Sequence, residues 1–143
     1  MKRGTKASTQ SPLANADMNH IHINVKDQER SQHFYERFFG FKLSFIVPAE
    51  KTSEMRKDIR FLENADGFQL GLDCHPDRRD LPDWFHLGFR LKTADAVRQA
   101  RKFLIANEVS VSDDFIDTKG YVSFVCQDPD GYHLEIFYDD PND

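Results

Sequence analysis

The chain is poor in cysteine and tryptophan and has no long apolar run. Its two cysteines, Cys74 and Cys126, stand far apart in 143 residues and form no metal-type pair. A reduced, cytoplasmic protein is the simplest reading of that usage. No stretch approaches the roughly 18 consecutive apolar residues that cross a bilayer, so no membrane span is expected. Nor does a block of Lys and Arg occur beyond the first few residues, and the formal net charge is −5. Phosphate backbones and anionic lipids are bound by a concentrated positive field, so this balance argues against nucleic acid and membrane as partners. Residues 1–16 are polar, small and Pro-containing and lack an apolar core. They read as a flexible tail and not as a secretory signal.

With 39% hydrophobic and 30% charged residues, the remainder is ordinary for a globular protein and long enough for one compact domain. Thirteen phenylalanines against one tryptophan suggest thin aromatic plugs between a sheet and its helices. The organising feature is an internal repeat. One half opens at His20–Asp27 (HIHINVKD) and the other at His86–Thr93 (HLGFRLKT). Each is an alternating strand that runs straight into a helix start, with Asp27 and Thr93 as N-caps. Phe34, Tyr35, Phe38 and Phe39 then recur at helical spacing before Gly40, and Val97, Ala100, Phe103 and Leu104 do so before Asn107. Both stripes are expected to pack on a sheet.

Three strand-like runs follow each helix: Phe41–Val47, Lys57–Leu62 and Gly67–Asp73, then Ser110–Phe115, Tyr121–Cys126 and Gly131–Tyr138. The last runs echo one another, DGFQLGL against DGYHLEI, each opened by an Asp-Gly turn signal. The offset from His20 to His86 nearly equals that from Gly71 to Glu135. The sequence therefore predicts an α+β fold of two βαβββ modules, over residues 17–73 and 84–140, with 74–83 as an exposed linker.

Strand side chains alternate between faces. Ile21, Ile23 and Val25 oppose His20, His22 and Asn24. Leu87, Phe89 and Leu91 oppose His86, Gly88 and Arg90, while Leu134, Ile136 and Tyr138 oppose His133, Glu135 and Phe137. Four of the six histidines, His20, His22, His86 and His133, thus share the polar faces. Alternation leaves two explanations open: a solvated outer face, or a cavity lined for chemistry. The matching places of His20 and His86 favour the second, because two related strands then aim two imidazoles at one point.

The run H-I-x-I-x-V-x-D-x-x-x-S-x-x-F-Y-x-x-x-F-G-F from His20 to Phe41 resembles the opening of glyoxalase/bleomycin-resistance/dioxygenase proteins, the vicinal oxygen chelate superfamily. The run F-V-x-x-D-P-D-G-x-x-L-E from Phe124 to Glu135 resembles their closing motif. The resemblance implies a curved mixed sheet around a metal-binding cavity, with ligands at His20, His86 and Glu135. It also implies a homodimer, in which His20 joins His86 either of its own chain or of its partner. Two imidazoles and a carboxylate leave coordination positions open and suit Fe, Mn, Ni, Co or Zn. A metal so held polarises an oxygen, binds dioxygen or activates water, which fits a lyase, isomerase or oxygenase acting on a small substrate with neighbouring oxygens.

Departures from the subfamilies narrow this. Glyoxalase I enzymes of the family take a fourth, carboxylate ligand where this chain has Gly71, with Gln69 two residues before. Extradiol dioxygenases commonly carry a tyrosine where this chain has Val125, Tyr121 lying nearby. Fosfomycin-resistance relatives carry a basic residue soon after the carboxylate, where this chain is acidic. What remains is a three-ligand enzyme with His22 as general base or substrate contact, Arg90 and Tyr121 as substrate contacts, and His133 beside Glu135. The competing reading is a metal-free protein that sequesters an aromatic compound, as bleomycin-resistance relatives do; such relatives usually lack the ligand trio.

Overall fold

A computed structural model of the chain describes residue 4 and residues 11–51 and 57–142. Most of the tail expected over residues 1–16 lies outside the described residues; residues 11–16 form turns closed by Ala14 N–H to Ser11 O and Ala16 N–H to Leu13 O. The elements follow in the order β1 (His20–Asn24), α1 (Gln28–Phe39), β2 (Lys42–Val47), a short helical turn (Ala49–Lys51), β3 (Ile59–Glu63), β4 (Gln69–Asp73), β5 (His86–Arg90), α2 (Ala94–Ala106), β6 (Val111–Thr118), β7 (Tyr121–Gln127) and β8 (His133–Asp139). This is βαβββ written twice. Each copy forms its own four-stranded sheet, ordered β1-β4-β3-β2 and β5-β8-β7-β6. Both are mixed: the opening strand runs parallel to the last one, and the other pairings are antiparallel.

Local chemistry sets the boundaries. Asp27 and Thr93 cap their helices by accepting from the backbone N–H of Arg30 and Ala96, which satisfies a donor the helix itself leaves unpaired. Gly40 ends α1 in the left-handed region at φ 69°, where a side chain is costly. The turn before each last strand is built on one plan. Asn64 accepts from the N–H of Asp66 and Phe68, and Asp128 accepts from the N–H of Asp130 and Tyr132.

The apolar faces of both sheets and one face of each helix form one core. Ile23, Val25, Tyr35, Leu62, Leu72, Val97, Val122, Phe124, Leu134 and Ile136 are buried in it. One member of the expected stripes departs from expectation. Phe103 is 51% exposed, and its ring packs edge-on against that of Phe38. Its neighbour Leu104 is buried in the core, so Phe103 stands at the edge of the apolar stripe, where its ring meets Phe38 of α1.

The modules are locked together by the Asp128–Gly131 turn of the second, which docks on the start of α1 in the first. The fully buried Tyr35 hydroxyl donates to Asp128 Oδ2 at 2.7 Å. Asp130 accepts from the Lys26 N–H and the Ser31 hydroxyl. Tyr132 exchanges hydrogen bonds with both backbone groups of Asn24. Burial raises the Asp128 carboxyl above its ordinary value, and the Tyr35 hydroxyl and the backbone N–H groups of Tyr132 and Asp130 act in the opposite direction. Removing one donor leaves a buried carboxylate oxygen short of a partner. Tyr35→Phe is therefore expected to cost about 1–3 kcal/mol, seen as a lower denaturant midpoint at unchanged slope. An unchanged midpoint would show that the clasp contributes nothing.

Candidate metal centre

Glu135 sits in the middle of the second sheet, beside Gly88 of β5 and Val125 of β7. Neither neighbour is polar, so the carboxylate takes its partners from further along the strands. Its Oε1 accepts from the Tyr121 hydroxyl at 2.7 Å and the Ser123 hydroxyl at 3.0 Å. Burial, and then the bond to Glu135, raise the Tyr121 hydroxyl above its usual value, so it remains a donor. That leaves Oε2, which lies 3.0 Å from Nε2 of His86.

The other nitrogen of His86 decides what that short contact means. Nδ1 lies 2.9 Å from the carbonyl oxygen of Trp84, which can only accept. Nδ1 therefore carries the ring proton of neutral His86, and Nε2 presents a lone pair to a carboxylate oxygen. Two acceptors at 3.0 Å repel unless positive charge lies between them, either a second ring proton or a cation. An imidazole and a carboxylate are two ligand types a divalent transition metal takes, and a backbone carbonyl on the far nitrogen is how ligating histidines are oriented. The residues present fit such an ion.

His20 and His22 project from β1 on the polar face of the first sheet. Nδ1 of His22 lies 2.7 Å from Oδ2 of the buried Asp73, and Nδ1 of His20 lies 3.2 Å from Oδ1 of Asn19. The edge of each ring faces or flanks Phe61, at centroid separations of 6.0 and 5.2 Å, and Phe45 stacks on Phe61 at 4.6 Å. This is an aromatic floor under two imidazoles.

The structure thus brings His86 and Glu135 together, and His20 and His22 together, on separate sheets. Among the described residues no three His, Cys, Asp or Glu side chains gather closely enough to hold a metal. Tyr121 lies on Glu135, and Arg90 is paired with Asp139 through Nε at 2.8 Å. His133 Nδ1 lies 3.0 Å from the carbonyl of Asp83. Sequence reasoning missed Ser123 and Asp73, although each follows from alternation: Ser123 is two residues beyond Tyr121, and Asp73 two beyond Gly71. A cavity of about 860 Å³ lies on the helix side between the modules, walled by Phe38, Phe39, Phe89 and Phe103 and reaching His86 and Arg90. No described helix is long and apolar enough to cross a membrane.

Known proteins with this architecture share little sequence with the chain. A possible glyoxalase from Bacillus cereus is 21% identical, with a TM-score of 0.66 over 85% of this chain and 97% of that one. A mutant of the genomically encoded fosfomycin resistance protein FosX from Listeria monocytogenes, complexed with Mn(II) and 1S,2S-dihydroxypropylphosphonic acid, is 19% identical. Its TM-score is 0.71, over 89% of this chain and 95% of that one. A lactoylglutathione lyase from Agrobacterium tumefaciens is 17% identical, with a TM-score of 0.64 over 86% and 93%. No curated protein sequence matches the chain. Residues 17–136, which hold both modules nearly entire, match the Glyoxalase/Bleomycin resistance protein/Dioxygenase superfamily, and the chain belongs to that family.

Proposed function

We propose that the protein is a divalent-metal-dependent enzyme, a lyase, isomerase or oxygenase, acting on a small substrate with neighbouring oxygens. Its metal is held by His20, His86 and Glu135. The observation that carries this reading is the 3.0 Å approach of His86 Nε2 to Glu135 Oε2, with Nδ1 already committed to Trp84. A cation held there supplies Lewis-acid polarisation to a bound oxygen. The chain's own residues do the rest. Tyr121 and Ser123 fix one oxygen of Glu135 so that the other faces the site. Phe45 and Phe61 give a flat apolar wall that excludes water from one side of the substrate. Arg90, held by Asp139, stands at the rim of the same face, its charge already balanced.

His20 reaches this pair from a second copy of the chain. Within one chain the two polar faces belong to sheets fixed relative to each other by the Tyr35–Asp128 and Asp130 contacts, so a closing motion would break buried bonds. Large apolar side chains stand exposed beside both half-sites: Trp84 next to His86, Phe45 on the floor under His22, and Met18 just before β1. A symmetric dimer that covers them builds two equivalent sites, each from both chains.

Elemental analysis of purified protein is expected to find about one transition metal per chain, lost in His86→Ala while the far-ultraviolet circular dichroism is retained. Protein that arrives empty and takes up no added Mn, Fe, Ni or Zn would overturn this reading in favour of metal-free sequestration of a small molecule. Mixing separately purified His20→Ala and His86→Ala chains tests the shared site. Random re-pairing restores one intact site in each mixed dimer, so metal content rises to about a quarter of the wild-type value. A site built within one chain recovers nothing on mixing.

A further inference from the structure

The two half-sites are unequal: the second sheet offers an imidazole and a carboxylate, the first only His20. Sequence alone suggests proton exchange for His22. Its surroundings point elsewhere. Resting on the metal reading above, we propose that His22 is a further ligand of the same cation, so that β1 delivers two imidazoles and each chain contributes a pair of donors from each module.

Three observations carry this. The first is the state of the ring. Asp73, the buried last residue of β4, accepts from Nδ1 of His22 at 2.7 Å, which fixes the proton there and leaves the Nε2 lone pair outward. A carboxylate on the far nitrogen is a usual partner of a metal-bound histidine. His20 and His86 are held in the same sense, through Asn19 and Trp84, so all three rings offer Nε2.

The second is the spacing. Two residues along a strand advance about 6.4–6.8 Å, yet the ring centroids of His20 and His22 are 5.4 Å apart and tilted by 56°. The rings lean together. Nitrogens at about 2.0–2.1 Å from one shared cation place their ring centres about 5 Å apart. Phe61 packs against both rings and holds them in this posture.

The third is Gly71. Its backbone is ordinary β, so nothing local requires glycine. It is the register partner of His22 across the β1–β4 pair, and a Cβ placed on it would lie 3.1 Å from two ring carbons of His22. The His22 ring occupies the volume that a side chain at 71 would fill. Position 71 gives up its side chain, and the imidazole takes the place on the cavity face.

The test uses the full-length protein and Cu(II) or Zn(II) alone, so that activity is not the readout. Electron paramagnetic resonance of the Cu(II)-loaded wild type is expected to show coupling to three imidazole nitrogens, and to two in His22→Ala. Zn(II) affinity should fall in His22→Ala by more than the roughly 10–100-fold typical of losing an outer partner. Asp73→Asn, which alters only that outer partner, should keep three nitrogens. Adding Gly71→Glu to His22→Ala should recover most of the Zn(II) affinity, since the vacated volume then holds a carboxylate. Two nitrogens in the wild type, or an unchanged count in His22→Ala, would overturn the assignment while leaving the metal reading intact, provided His86→Ala still abolishes binding. Binding that ignores His86→Ala, or no binding, would overturn both.

Discussion

The proposed function depends on a lone pair aimed at a carboxylate. The Trp84 carbonyl takes the only proton that neutral His86 has to give, and the fold then presses the bare Nε2 to within 3.0 Å of Glu135. Such a contact is unfavourable by itself. Only positive charge between the two atoms makes it an attraction, and the neighbouring hydroxyls of Tyr121 and Ser123, both donors to the same carboxylate, hold that carboxylate in place for it.

The second constraint is mechanical. The turn from Asp128 to Gly131 belongs to one module but is hydrogen-bonded to the other, at Tyr35, Ser31 and the backbone of Lys26. Those bonds join the halves through α1 and the end of β1. In the proposed reading, one chain thereby carries two separate half-sites. Duplication explains the symmetry of parts, and the clasp explains why the parts do not meet within one copy. If two copies complete the proposed site between them, metal affinity and association become mutually dependent.

Much of this is legible in the amino-acid sequence because the repeat doubles every signal. A lone Asp-Gly or a lone strand-helix boundary says little, but Asp27 with Thr93, and Gly67 with Gly131, each support the other. The alternation in HIHIN assigns the histidines to one face without any coordinates. Less legible is anything set by packing between elements. The sequence places Phe103 in the apolar stripe of α2, yet it stands at the edge of that stripe and the ring lies half in solvent, while Leu104 beside it is buried. Tyr121 reads as a substrate contact, although its hydroxyl is bound to Glu135, because strand register decides which hydroxyl meets which carboxylate. Alternation puts Asp73 on the face of Gly71, but that its oxygen meets Nδ1 of His22 is decided only when β4 lies beside β1. Nor does a single sequence reveal that the clasp keeps the two histidine-bearing faces on separate sheets.

A cation shared between His86 and Glu135 is tested most directly by anomalous diffraction from crystals grown with Mn(II). A single strong peak is expected at each site, about 2.0–2.3 Å from His86 Nε2 and Glu135 Oε2, with His20 of a second copy closing on it. A map without that peak, in which His86 remains 3.0 Å from Glu135 as a protonated ion pair in an otherwise undisturbed structure, would contradict the shared cation.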